Sequence, residues 1–402
     1  MNINEVTWQY ISAHATDDVA HLALHPSKDP QVDMSVALQQ IAGRQKAREK
    51  LPEWYAKEGL LYPKKVSMEQ CSSSQTAEYK ASLVEGDSFA DFSGGFGVDT
   101  VALAREFSTG YYVEPQEELC ELFRHNSKTL GINNVEVING TMEERLASIE
   151  PVDTIYLDPS RRDVHGRKVV ALEDCVPNLL EWKERLLAKC NTLMVKLSPM
   201  IDIHQTLRDL PETFALHVIA VEGECKEVVF LLTRRDAPWH VSTTDPTVVA
   251  VDINKNKAFH VETTLDTERT TPPRIATELG AYLYEPNAAV MKAGIFNALS
   301  QQFQIAKLAK NTNLFTANEL HEGFPGRIFR IEAVHEFHPR KTTKELSHLA
   351  NASIAVRNFP LSAEELRKTL KIKNGNACYL FGCTLTDGRK CVVVCKKSAF
   401  SY

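Results

Sequence analysis

A chain of 402 residues, 43% hydrophobic and 24% charged, has the composition of a soluble globular protein and length for two or three separate cores, which excludes disordered and fibrous classes. Its net charge of -6 is uneven: residues 321–402 hold 14 Lys and Arg against 7 Asp and Glu, or +7, leaving -13 elsewhere, so a basic C-terminal segment follows an acidic body. No stretch approaches the roughly 18 apolar residues of a membrane helix, Met1 to Tyr10 has no leader pattern, and nine cysteines without framework spacing suit a reducing compartment, so a cytoplasmic protein is expected.

Met34 to Lys50 carries Val36, Leu38, Ile41 and Ala42 at helical spacing, with Asp33 as N-cap and Pro52 as stop. Residues 1–69 are expected to form a helical cap. From 86 onward short apolar runs alternate with helical segments, the form of βαβ units on a parallel sheet. Strands are predicted at Ser88–Phe92, Gly110–Glu114, Asn134–Asn139, Val152–Leu157 and Thr192–Leu197. Helices are predicted at Val98–Phe107, from Pro115 as first helical residue to Leu130 with Gly131 as C-cap, and at Met142–Ile149, Leu172–Lys189 and Ile203–Leu210. Phe214–Val221 and Glu227–Thr233 are joined by too short a link for a crossover and must pair as an antiparallel hairpin. Asp236–Pro273, strand-like but rich in Thr, Asp and Pro, reads as the start of a second domain, and Ala288–Lys310 as an amphipathic helix. The last segment reads as strand Arg327–Phe337, helix Thr342–Leu349, strand Ser353–Asn358 and helix Ser362–Leu370. A hairpin of Cys378–Leu385 and Lys390–Cys395 about Asp387-Gly388 follows.

Between the first strand and its helix stands Asp91-Phe92-Ser93-Gly94-Gly95-Phe96-Gly97. Glycine permits a tight turn and the close approach of a cofactor to the backbone, although a plain tight loop uses the same residues. Glu114 ends the second strand, 23 residues after Asp91, where a carboxylate accepts hydrogen bonds from both ribose hydroxyls of an adenine nucleoside. No Lys-Ser or Lys-Thr follows the glycines, which rejects a phosphate loop, and the order Gly94-Gly95-Phe96-Gly97 is not the dinucleotide fingerprint. A carboxylate at Asp91 repels pyrophosphate and suits a cationic sulfonium.

Taken in order, Asp91 to Gly97, Glu114, Gly140-Thr141-Met142 and Asp158-Pro159 resemble the successive motifs of class I S-adenosylmethionine-dependent methyltransferases. The terminal hairpin is similar to that family's reversed seventh strand. The resemblance covers about residues 70–235. It implies an α/β fold with a seven-stranded Rossmann-like methyltransferase sheet, and S-adenosyl-L-methionine as cofactor. It further implies that Asp91 and the backbone of Gly94, Gly95 and Gly97 hold the methionine part, that Glu114 binds the ribose, and that Thr141 and Met142 flank the adenine. Ser93, Asp99, Thr100 and Pro115 are further cofactor-binding candidates, and Gln75 and Thr76, within Cys71–Lys80, stand where related enzymes close over the methionine end.

Asp158-Pro159-Ser160-Arg161 departs from the family's pattern for base-nitrogen methylation, in which Asp or Asn and two prolines precede an aromatic. Arg161 can stack on a base through its guanidinium plane or grip a phosphate. The Asp-Pro-x-Arg form also resembles pyrimidine carbon-5 methyltransferases, which attack through a Cys after the fifth strand. Here Lys196-Leu197-Ser198-Pro199-Met200 has no Cys, which disfavours covalent carbon methylation. Methyl transfer asks mainly for alignment and removal of a proton. Asp158 is therefore expected to position the acceptor, with Pro159, Ser160 and Arg161 beside it, and Arg161, Arg162, Arg167 and Lys168 to form a basic mouth suited to polynucleotide phosphate.

The basic C-terminal module resembles THUMP-type RNA-binding domains, and the layout resembles a bacterial methyltransferase family with a THUMP-like C-terminus. The expected domains are 1–69, 70–235, a small α+β domain of ferredoxin-like type at 236–320, and a basic α+β domain at 321–402. The resemblance implies RNA, tRNA or rRNA, as partner, with Arg327, Arg330, Arg340, Lys341, Lys344, Lys396 and Lys397 as phosphate contacts. Cys378, Cys383, Cys391 and Cys395 lie in apolar strands without C-x-x-C spacing and read as buried small hydrophobes, so no metal is expected. Methylation of a base nitrogen in structured RNA is the expected function. A non-catalytic RNA-binding scaffold, and a protein or small-molecule methyltransferase, are the alternatives.

Overall fold

The computed structural model describes residues 3–160, 172–234, 245–254 and 257–398. They fall into two compact units, Met1–Phe214 with Val229–Thr243, and Ala215–Val228 with Thr244–Tyr402. The first opens with six helices, Glu5–Ala13, Val19–Leu24, Met34–Lys50, Pro52–Tyr55, Lys65–Gln70 and Ser74–Ala81. Asp33 caps the third as predicted, its side chain accepting from the Val36 N–H. Ile11, Leu22, Ala37 and Ile41 form the core of this cap.

Nine strands follow in the chain, of which β8 and β9 belong to the second unit: β1 Ser88–Asp91, β2 Thr109–Glu114, β3 Val135–Asn139, β4 Val152–Leu157, β5 Cys190–Leu197, β6 Thr213–Val221, β7 Glu224–Leu232, β8 Thr247–Asn254 and β9 Lys257–Thr264. Their order in the sheet is β3-β2-β1-β4-β5-β7-β6-β8-β9. β1 pairs in parallel with both β2 and β4, so the direction of winding reverses there. At such a switch point the C-terminal ends of neighbouring strands splay over a crevice where ligands bind. β1 is central because Phe89 and Ala90, on opposite faces, are both fully buried.

Four expectations are corrected. The sheet does not stop at seven strands: β8 lies parallel to β6 and β9 antiparallel to β8. Val248 to Val251 are all buried, and such a run needs cover on both faces, whereas the reading had weighed the Thr, Asp and Pro around it. Glu222 and Gly223, both at positive φ, make a two-residue hairpin turn between β6 and β7, shorter than the expected link. The helix expected at Leu172–Lys189 is one 3-10 turn, Leu172–Asp174, and a helix Leu179–Leu187, because Pro177 lacks an N–H and bars its predecessor from the helical region. The helix after β2 begins at Glu117 with Gln116 as N-cap, which leaves the exposed Pro115 outside it.

In the second unit, β10 Tyr282–Pro286, β11 Ala306–Ala309, β12 Thr312–Ala317, β13 Gly326–Glu336, β14 Asn351–Arg357, β15 Lys373–Thr384 and β16 Lys390–Lys397 form another sheet, ordered β11-β12-β10-β13-β16-β15-β14. β14 and β15 are parallel, joined through the helix Ala363–Leu370, and the other pairs are antiparallel. Alternate residues of β16 serve opposite cores: Cys391, Val393 and Cys395 pack with Phe329 and Phe381, Val392 and Val394 with Leu366 and Leu370. The helix expected at Ala288–Lys310 is also corrected. Gly294, left-handed at φ 74°, ends Ala288–Ala293, Phe296–Gln302 follows, and Ala306–Ala309 is strand. Among the described residues no helix is long and apolar enough to cross a membrane.

Candidate active site

Asp91 closes β1 and is buried. Its Oδ2 accepts from the Thr100 hydroxyl at 2.6 Å, and its Oδ1 from the Ser93 N–H at 2.8 Å and the Ser93 hydroxyl at 3.1 Å. Burial pushes this carboxyl up to about 7 against those hydrogen bonds. Ser93 Oγ also accepts from the Asp158 N–H at 2.8 Å, tying the end of β1 to the end of β4.

The bend beyond Asp91 rests on two rings, Tyr112 and Phe123, stacked with centroids 4.1 Å apart. A Cβ at Gly94 would lie 2.4 Å from the Tyr112 ring, and one at Gly97, where φ is +84°, 2.2 Å from Phe123 Cδ2. These two glycines make room for aromatic rings beneath the bend. Gly95, at φ +52°, is different: the nearest atom to its missing Cβ is 3.6 Å away. The side open for a cofactor is therefore at Gly95.

Glu114 ends β2 and points into this bend. Its Oε2 accepts from the Gly95 N–H and its Oε1 from the Gln116 N–H, both at 2.9 Å. Each oxygen has two lone pairs, so the carboxylate keeps capacity for two further donors. The Tyr112 hydroxyl donates to the Gly95 carbonyl at 2.7 Å.

A chain of ionic contacts runs from the cap to the end of β4. Lys80 is 2% exposed, and its ammonium lies 2.9 Å from Asp99 Oδ1 and 2.8 Å from Ser72 Oγ. The Ser72 hydroxyl donates to Asp99 Oδ2 at 2.7 Å. Burial alone would raise the Asp99 carboxyl, but Lys80 and then Lys196 outweigh it and hold the group below its ordinary value. Lys196, near the end of β5, reaches Asp158 Oδ2 at 2.5 Å and Ser72 Oγ at 3.5 Å.

Asp91, Ser93, Gly94, Gly95, Gly97, Asp99, Thr100, Glu114 and Asp158 thus converge on one crevice, at the C-terminal ends of β1, β2 and β4. Others are otherwise engaged. Thr141 and Glu144 form a reciprocal cap at the start of Met142–Arg145, with Met142 buried behind it. Thr76 is buried in the first turn capped by Ser73, and Gln75 is half-buried beside it. Pro159 is buried, and the exposed Ser160 exchanges backbone hydrogen bonds with Val176. Arg161, Arg162, Arg167 and Lys168 lie outside the described residues. The reading missed Ser72, Lys80, Tyr112 and Lys196. Lys196 carried a signal, since a lysine between the apolar Leu193-Met194-Val195 and Leu197 needs a partner.

The basic candidates of the second unit fall in separate groups. Arg327 is bound to the buried Glu285, which also accepts from Arg357 at 2.7 Å. Arg330 and Lys396 face each other across β13 and β16 with Lys397 adjacent, and Lys396 lies 2.7 Å from Glu332. Arg340, Lys341 and Lys344 sit on the helix Pro339–Glu345 beyond the far end of β13. At 3.3 Å per residue that end is about 20 Å from Arg330.

Comparison with known proteins places residues 282–325 in a ferredoxin-like domain family and residues 326–397 in a THUMP domain-like family. A crystal structure from Porphyromonas gingivalis W83, provisionally described as a methyltransferase, matches with a TM-score of 0.87 at 31% identity, over 99% of this chain and 100% of that one. The tRNA (uracil(54)-C(5))-methyltransferase of Pyrococcus abyssi is 27% identical over 149 residues, 37% of this chain and 30% of that protein. The chain therefore spans under a third of that relative's length.

Proposed function

The chain belongs to the family of S-adenosylmethionine-dependent methyltransferases that carry a THUMP-like C-terminal domain, and from that premise we propose that it methylates a base nitrogen in a structured RNA, tRNA or rRNA. The observation that carries the proposal is the Asp158 carboxylate, held beside the glycine bend by its own N–H on Ser93 and by Lys196.

The crevice fits the cofactor. The unused lone pairs of Glu114 suit two ribose hydroxyls, and the backbone is open at Gly95. When bound, S-adenosylmethionine supplies an activated methyl group. What remains for the protein is to align the acceptor and accept its proton, and Asp158 has the chemistry for both. β5 ends in Lys196-Leu197-Ser198, without the cysteine that carbon methylation would use. Cys71, the thiol on which Lys196 acts electrostatically, is raised by burial and donates to the Met68 carbonyl, which does not suit a nucleophile.

RNA as substrate draws support from the THUMP-like match, the tRNA-modifying relative and the +7 charge of residues 321–402. Purified protein is to be incubated with methyl-labelled cofactor and total cellular RNA, and the labelled nucleosides identified by mass spectrometry. An N-methylated base is expected. Asp158→Ala is expected to lose transfer while keeping its affinity for the cofactor. Label in 5-methyluridine would overturn the nitrogen assignment, and unlabelled RNA would overturn the substrate.

A further inference from the structure

Resting on that reading of Asp158, we propose that Lys196 is a positioning residue for methyl transfer, whose ammonium keeps Asp158 ionised and fixes one of its oxygens so that the other faces the acceptor.

Lys196 stands in a strand where Leu193, Met194, Val195 and Leu197 are buried, and a lysine there is costly unless its charge is used. Its side chain is 12% exposed, and its ammonium meets Asp158 Oδ2 at 2.5 Å. Asp158, 35% exposed, is the more accessible member of the pair. The contact with Ser72 Oγ holds the ammonium from the cap side.

Other charges surround the pair without replacing Lys196. Lys80 is engaged with Asp99, and Lys50 donates to the carbonyls of Met68 and Glu69 at 3.0 and 2.9 Å. Asp91 is linked to Asp158 through Ser93, and Asp99 and Cys71 also lie within electrostatic range of Lys196. Among the described residues Lys196 is the cation bonded to Asp158.

During transfer the N–CH3 bond forms as the S–CH3 bond breaks, the electron pair of the broken bond stays on sulfur, and the displaced amine proton passes to Asp158. That last step requires an Asp158 that holds no proton beforehand.

The test reads the carboxyl directly. The full chain is labelled with 13C at aspartate side chains, and the Asp158 resonance is identified by its loss in Asp158→Asn. Its titration midpoint is then compared in wild type, Lys196→Met, Lys196→Gln and Lys196→Arg. The midpoint is expected to rise by about one to three pH units in the Met and Gln variants, the span one close opposite charge accounts for, and to stay near wild type in the Arg variant. Should the Met variant not fold, the Gln and Arg pair decides. A midpoint unmoved in the neutral variants overturns the proposal. Where RNA is labelled, the acid limb of the transfer rate should move with the carboxyl, so that Lys196→Gln regains rate as the pH is raised. A wild type that labels no RNA sinks the functional reading, while the carboxyl titration still decides the role of Lys196.

Discussion

Replacing Glu114 by Gln keeps the shape of the side chain and removes one of its two acceptor oxygens. In the native bend both oxygens are occupied from within, by the Gly95 and Gln116 N–H groups at 2.9 Å. In Glu114→Gln one of these N–H groups meets an amide donor instead, at a site only 5% exposed. An unsatisfied buried N–H costs about 1–3 kcal/mol, which lowers the unfolding midpoint but leaves the native state dominant in a protein of ordinary stability. Cofactor affinity should suffer separately, because one ribose hydroxyl loses a charged acceptor worth about 1.5–3 kcal/mol. That is a weakening of the dissociation constant by a factor of roughly 10 to 150. Calorimetric titration of both proteins with S-adenosylmethionine, well below their unfolding temperatures, measures it. Wild-type affinity in Glu114→Gln would refute the assignment of this carboxylate to the cofactor. An equal loss in a variant elsewhere that only lowers stability would show that the bend's integrity, not the carboxylate, had been measured.

The glycines should separate by what lies beneath them. Gly94→Ala and Gly97→Ala drive a methyl into Tyr112 and Phe123 and should each cost about 1–3 kcal/mol by overpacking, read as a lower urea midpoint, with a further penalty at Gly97 for its left-handed backbone. Gly95→Ala should disturb folding less than Gly97→Ala yet weaken the cofactor; the reverse order would contradict the geometry. Lys80→Met strands Asp99 in a buried site and should cost about 3–5 kcal/mol, part of it regained in Lys80→Met with Asp99→Asn; additive losses in that double-mutant cycle would deny the pairing. Asp91 keeps its proton in the fold up to about 7, against an ordinary value of 3.8, so between those pH values the native state binds the extra proton. Its contribution therefore falls as pH rises through that window and is flat above it, by about 4 kcal/mol in all. Urea midpoints taken near the two ends should show this slope in wild type and its loss in Asp91→Asn; an equal slope in both would assign it to other groups.

Most of the parallel sheet was legible because its strands are continuous apolar runs with caps and glycines between them. Val152–Leu157 was placed to the residue, and the helix Met34–Lys50 with both its signals. What escaped was decided by partners distant in sequence. Asp236–Pro273 reads as strand-like and Thr247–Asn254 is a strand within it, but its buried run, Val248 to Asp252, does not announce that it lies beside β6 and extends the same sheet. Ala288 to Lys310 keeps a helical apolar spacing across Gly294, yet the chain turns there and Ala306–Ala309 leaves to pair with β12. Periodicity reports which residues seek burial, and it is silent on whether one rod or three short pieces achieve it.

The site divides along the same line. Asp91, Glu114 and Asp158 could be singled out because the first two end strands and the third directly follows one, and the ends of adjacent parallel strands lie side by side. Their partners could not, since Ser72 with Asp99, Lys80 with Asp99 and Lys196 with Asp158 join elements 19 to 38 residues apart with no fixed interval. Those partners change the reading of the crevice. A group of carboxylates alone would be a cation trap that repels its neighbours; with Lys80 buried against Asp99 and Lys196 against Asp158, two of the charges are already balanced, while Asp91 is pushed toward neutrality. The acceptor left facing the bend is Glu114, satisfied by two backbone donors and with lone pairs to spare. On the function proposed above, a nucleoside's hydroxyls would be held at β2 and the acceptor's proton met at β4, the separation of roles that group transfer between two bound molecules requires.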